Sequence, residues 1–223
     1  MRPAERIDAL QAQIDIHAAH EQPGKQIAVG RFNAGPEVRG QFDRESGSIM
    51  VNDQLINQDT PYAAMETLHH EYRHAFQDYV ANVRPDLATS AQQLTDFQKN
   101  PSGYIHPDTD HMMYRSQPIE VDARNYARQS MEAAYGGQQD PGYTEFRQSR
   151  DQEDAAYQQL AELSIGPDHE QQARTLTYKI HDLKQAQSHS EEVRRATEQS
   201  PDQSVSPTQE ESEEQQQTTG RKR

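Results

Sequence analysis

The chain has 223 residues, only 32% of them hydrophobic, with no tryptophan and no cysteine. The absence of cysteine excludes disulfides and thiolate chemistry, and a net charge of −14 argues against nucleic acid or an anionic membrane surface as partner. So few apolar residues predict a small core that leaves part of the chain outside it.

Residues 3–20 carry Ile7, Leu10, Ile14 and His17 at three- and four-residue steps, so an N-terminal helical segment is expected over 1–22. Gln22-Pro23-Gly24 ends it. Ile27 to Phe32 reads as a short strand, and Val38–Phe42 with Ser48–Val51 reads as a hairpin around Glu45-Ser46-Gly47. Thr60 as N-cap and Pro61 at the first helical position start a helix that should run from Pro61 to Val83, where Arg84-Pro85-Asp86 stops it. Its apolar stripe is Met65, Leu68, Tyr72, Phe76 and Tyr79. Ala88–Lys99 is expected to be helical, and Asn100–Gln117 loop-like. A further helix should run from Pro118 to Tyr135, closed by Gly136-Gly137.

A helical hairpin is expected over 143–187, with arms 143–164 and 168–187 joined at Gly166-Pro167. Its second arm carries Ala173, Leu176, Ile180 and Leu183, a seam suited to its own domain, to a helical partner or to self-association. Residues 189–223 lack Leu, Ile and aromatics, and an acidic Gln/Glu-rich tail of this kind is expected to be disordered. No apolar run reaches the length of a membrane span, and Met1–Arg6 does not start a secretory signal. The expected setting is the cytoplasm, or export by a system that needs no signal peptide.

The most informative motif is His70-Glu71-Tyr72-Arg73-His74, an H-E-x-x-H pentapeptide within the 61–83 helix. Residues four apart share a helix face, so both imidazoles can reach one zinc ion while Glu71 reaches the water that zinc holds. His70 and His74 point away from the apolar stripe, and His69 is rotated off the metal face. A catalytic zinc takes three protein ligands. The remaining candidates are His106, His111, Glu120 and Asp122, because Val80 holds the place six residues after His74 where a third histidine can occur. Glu120 is favoured: Ala123 and Ala127 share its face, and small side chains let its helix approach the histidine helix closely.

These residues carry a resemblance. H-E-x-x-H on one helix, then Glu120-Val121-Asp122-Ala123-Arg124-Asn125-Tyr126-Ala127 on a later one, resembles the minimal gluzincins of the ImmA/IrrE-like kind. The chain is also similar to metallopeptidase domains of bacterial effector and mobile-element proteins. The resemblance covers roughly residues 26–135, within a domain expected over 26–137. It implies an α+β, zincin-like domain with a short antiparallel or mixed sheet, an active-site helix and a glutamate helix. It further implies a zinc metallopeptidase acting on a protein or peptide substrate, with His70, His74 and Glu120 as ligands. Alternatives are a regulatory or binding protein on the same scaffold, and a toxin-like effector protease.

In the expected chemistry Glu71 is the general base. The oxyanion donor comes from Tyr104, His106, His111 or Tyr114, with Tyr114 and His106 preferred. Asp122 is a candidate to hold a ligand imidazole from behind, and Arg124 reads as a structural ion-pair residue in preference to a substrate clamp. Strand Ser48–Val51 is a candidate to pair with extended substrate.

Overall fold

The computed structural model describes residues 2–22, 25–35, 38–58, 60–107, 109–138 and 140–163. Among them the chain is mixed α+β, with one three-stranded sheet and seven α-helices. The second arm of the expected hairpin, 168–187, and the tail 189–223 lie outside the described residues. No helix among the described residues is long and apolar enough to cross a membrane.

Helix α1 (Pro3–Glu21) starts with Pro3 at its first position and a reciprocal Arg2–Glu5 cap. Strands β1 (Val29–Phe32), β2 (Gly40–Asp43) and β3 (Ser48–Asn52) form a mixed sheet in the order β1-β3-β2. β2 and β3 make the expected antiparallel hairpin, and Gly47 supplies the left-handed residue at φ 68° that its turn requires. β1 joins β3 in parallel, with Val29 opposite Ile49. β3 is therefore paired on both sides and cannot accept a substrate strand, contrary to the expectation for Ser48–Val51. Among the described residues, the unpaired edge next to the histidine helix belongs to β2.

The short helix α2 (Asp53–Ile56) follows, capped by the Asn52 side chain. Helix α3 (Tyr62–Asn82) carries the pentapeptide. It starts one residue later than expected, with Pro61 rather than Thr60 at the cap and no side-chain cap bond. It ends at Val83, where Pro85 restricts Arg84 and opens a 3-10 turn over Pro85–Leu87. Helix α4 (Ala91–Gly103) is capped by Ser90 and helix α5 (His111–Ser116) by Asp110, each accepting a backbone N–H at 3.0 Å. Helix α6 (Pro118–Tyr135) opens on proline as expected, and α7 (Pro141–Leu163) completes the series.

The main core lies between α1, the sheet and α3. It contains Leu10, Ile14, Ile27, Ile49, Val51, Leu55, Ile56, Leu68, Tyr72 and Ala75. Burying Leu10 and Ile14 stabilises the fold by roughly 1.5–3 kcal/mol each. The N-terminal helix is thus part of this core rather than a separate segment, and it lies behind α3. On the other side α6 runs along α3, with Ala123 and Ala127 almost fully buried. α3 is buried nearly all round, well beyond its apolar stripe: Ala63, Ala64, Thr67, His69, Gln77 and Val80 are also buried.

Candidate metal centre

His70 and His74 sit one turn apart on α3, and Glu120 sits in the first turn of α6. The small Ala123 and Ala127 let α6 close on α3, which brings the Glu120 carboxylate to the imidazoles. Glu120 Oε2 lies 3.3 Å from His70 Nε2, and Glu120 Oε1 lies 3.4 Å from His74 Nε2. The two Nε2 atoms are 3.1 Å apart. Tetrahedral zinc with ligand bonds of roughly 2.0–2.1 Å spaces its ligand atoms about 3.3–3.4 Å apart. Among the described residues this is the one group of three side chains whose ligand atoms converge in this way.

The donor set has a charge problem that a cation resolves. Gln77 Nε2 donates to the Ile119 carbonyl at 2.9 Å and to Asp122 Oδ2 at 2.8 Å. Both partners only accept, so the amide orientation is set and Gln77 Oε1 faces His74 Nδ1 at 2.9 Å. The His74 proton therefore sits on Nδ1, and Nε2 presents a lone pair to the site. Glu120 is 1% exposed, and among the described residues its Oε2 lies 3.3 Å from His70 Nε2 without a well-formed hydrogen bond. His70 Nε2, His74 Nε2 and the Glu120 carboxylate converge, and a proton or a metal ion must lie among them. The titration behaviour reflects the same field. Burial opposes charge on His74, but bonding to Glu120 and the Glu120 and Glu71 charges outweigh it and raise the imidazole to about 9. Burial would raise Glu120, yet the two imidazoles hold it well below the usual carboxylate range.

Glu71 is buried at the same place, and its charge reaches His74, Tyr104 and Tyr114. Gly40 of β2 packs on it: a Cβ at Gly40 would come within 2.5 Å of Thr67 Cγ2 and 3.1 Å of Glu71 Cγ. Only glycine lets the edge strand pass this close to the helix. Tyr114 lies on α5, which the sequence reading took for loop. Burial first, then the Glu120 carboxylate, raises its phenol far up, so it remains a protonated donor beside the ligands. Tyr104 packs edge-on against it, with ring centroids 6.0 Å apart, and burial and Glu120 raise it to about 12. Its loop is held by Gln117, whose amide donates to the Ile105 carbonyl and accepts from the Ile105 N–H, both at 3.0 Å.

Other candidates fall elsewhere. His106 is exposed on the segment between α4 and α5, outside the converging ligand atoms, and His111 turns to the Tyr157 hydroxyl of α7 at 3.0 Å. Asp122 does not touch an imidazole. It pairs with Arg73 through two bonds of 2.7 and 3.0 Å and acts on His74 through Gln77. Gln77 was missed, although its place three residues after His74 put it on the same face. His69 is off the metal face as expected, buried against His17 with neither ring nitrogen hydrogen-bonded. Arg124 was expected to form an ion pair, yet among the described residues no carboxylate lies within 4.0 Å of it; it donates to the Arg115 carbonyl.

Comparison of the chain with protein-family models, with curated proteins and with solved structures finds no match.

Proposed function

We propose that this chain is a zinc-dependent peptidase of the minimal gluzincin type, with His70, His74 and Glu120 as ligands and Glu71 as general base. The convergence of His70 Nε2, His74 Nε2 and the buried Glu120 carboxylate carries this reading. A bound zinc ion would supply a polarised water at neutral pH. Glu71 would accept the proton of that water and return it to the leaving amine. The protonated Tyr114 hydroxyl, with Tyr104 beside it, is suited to donate to the carbonyl oxygen as it gains charge. Gln77 and Asp122 keep His74 in the tautomer that a ligand needs.

β2 supplies an edge for an extended peptide. The Arg39 carbonyl accepts the Asn52 N–H of β3 and the Asp43 carbonyl accepts the Gly47 N–H of the turn, so by alternation the backbone groups of Gly40 and Phe42 face outward. Gly40 is also the residue packed on Glu71. A peptide paired with this edge would bring a carbonyl near the general base.

The test is hydrolysis of a mixed fluorogenic peptide pool by zinc-loaded protein. Turnover should vanish with a chelator, return with added zinc, and be absent from Glu71→Gln while that variant keeps its metal. Turnover that ignores the chelator, or that persists in Glu71→Gln, would overturn the reading.

A further inference from the structure

Arg124 stands one turn beyond Glu120 on α6, about 40° further round the helix on the side of α5 and α7. It donates to the carbonyl of Arg115, the residue after Tyr114, so it lies beside the α5 side of the candidate centre. The neighbouring arginines are neutralised. Arg115 pairs with Asp154 at 2.6 Å, Arg128 pairs with the same carboxylate, Arg73 pairs with Asp122, and Arg150 with Glu66 at 2.9 Å. Arg124 is the exception: no carboxylate lies within 4.0 Å among the described residues, and a second guanidinium, Arg115, is its close neighbour. It is only partly exposed. One of its five donors goes to the Arg115 carbonyl at the end of α5, which places the side chain without neutralising it. A guanidinium does not shed its proton to relieve this. In a chain with 36 acidic residues and a net charge of −14, a guanidinium without a direct carboxylate partner among the described residues lies beside the reactive groups. Were Glu120 to hold a metal ion, its charge would balance the metal and leave Arg124 still less balanced.

We propose that Arg124 recognises a carboxylate of the bound peptide, either an acidic side chain or a free C-terminus, next to the bond that Glu71 serves. The proposal deepens the peptidase reading and rests on it for the position of the peptide. The guanidinium fork suits a carboxylate bidentately, and partial burial strengthens the pair relative to a solvated one. Arg124 is then a specificity-determining residue, and substrates are peptides with a negative charge at a defined distance from the scissile bond.

The test measures binding as well as turnover. Octapeptides in which one Glu is walked along an otherwise neutral sequence, each made as amide and as free acid, are titrated against full-length zinc-loaded Glu71→Gln by fluorescence anisotropy. One Glu register, or the free acid, should bind about tenfold tighter than the neutral amide. The register distinguishes an internal acid from a C-terminus. Adding Arg124→Gln, which keeps a donor for the Arg115 carbonyl, should erase the preference with zinc content unchanged, and Arg124→Lys should restore part of it. Equal or undetectable binding across the set, or a preference that survives Arg124→Gln, overturns the proposal. Carboxylate-selective binding without chelator-sensitive cleavage by the wild-type protein would instead remove the peptidase reading and leave Arg124 standing. Cleavage without charge preference would do the reverse.

Discussion

His74 Nδ1 and Gln77 Oε1 lie 2.9 Å apart, and this contact sets which nitrogen of His74 faces Glu120. Gln77 is in turn locked by Ile119 and Asp122, so α6 supplies both a candidate ligand and the support for a ligand on α3. Gln77→Ala removes the acceptor and frees the imidazole to flip. We expect zinc affinity to fall by about 10–100-fold, and Gln77→Glu not to recover it, because its second oxygen would face the Ile119 carbonyl and the Asp122 carboxylate in place of a donor. Competition with a chromophoric chelator measures this. Unchanged affinity in Gln77→Ala would mean that the tautomer is set elsewhere.

The metal-free protein should hold a proton where zinc would bind. The folded-state pKa of His74 is raised from 6.5 to about 9, burial being outweighed by Glu120. The protonated pair therefore stabilises the metal-free fold fully below pH about 6.5, and this contribution is lost as pH rises through about 9. Zinc must displace that proton. Its apparent affinity should rise by about tenfold per pH unit between these limits and then level off. Affinity that is flat over this range contradicts the arrangement.

His69 predicts the opposite sign for stability in acid. Burial, and then the charge of His17, lower its imidazole from 6.5 to about 4. The unfolded chain binds a proton that the folded chain refuses, so stability is full above pH about 6.5 and falls as pH drops toward 4. The loss is on the order of 3 kcal/mol. Urea unfolding of the metal-free protein at several pH values reads it, and His69→Leu should flatten the acid limb. An identical acid limb in both proteins would show that another group governs it.

Much of the architecture was legible because the signals were local. Proline at the start of α6 and the Arg84-Pro85 stop after α3 act through backbone sterics within a few residues, and both boundaries fall within one residue of expectation. H-E-x-x-H and the Ala123/Ala127 spacing fix faces of helices, which brings His70, His74 and Glu120 together. What escaped the sequence depends on tertiary partners. The Tyr114 segment is helical because Asp110 caps it and Arg124 meets its last turn, neither of which periodicity reports. The parallel pairing that makes β3 central comes from β1, about twenty residues earlier in the chain. The helix period put His69 off the metal face, but its burial follows from α1 closing over that side of α3.

Elemental analysis of the purified protein, dialysed against a slight excess of zinc and then against metal-free buffer, tests the central claim most directly when Glu120→Gln is run beside the wild type. We expect one equivalent of zinc in the wild type and a small fraction of that in Glu120→Gln, with both chains folded by circular dichroism. A wild type without zinc, or a full equivalent retained by Glu120→Gln, would contradict the account.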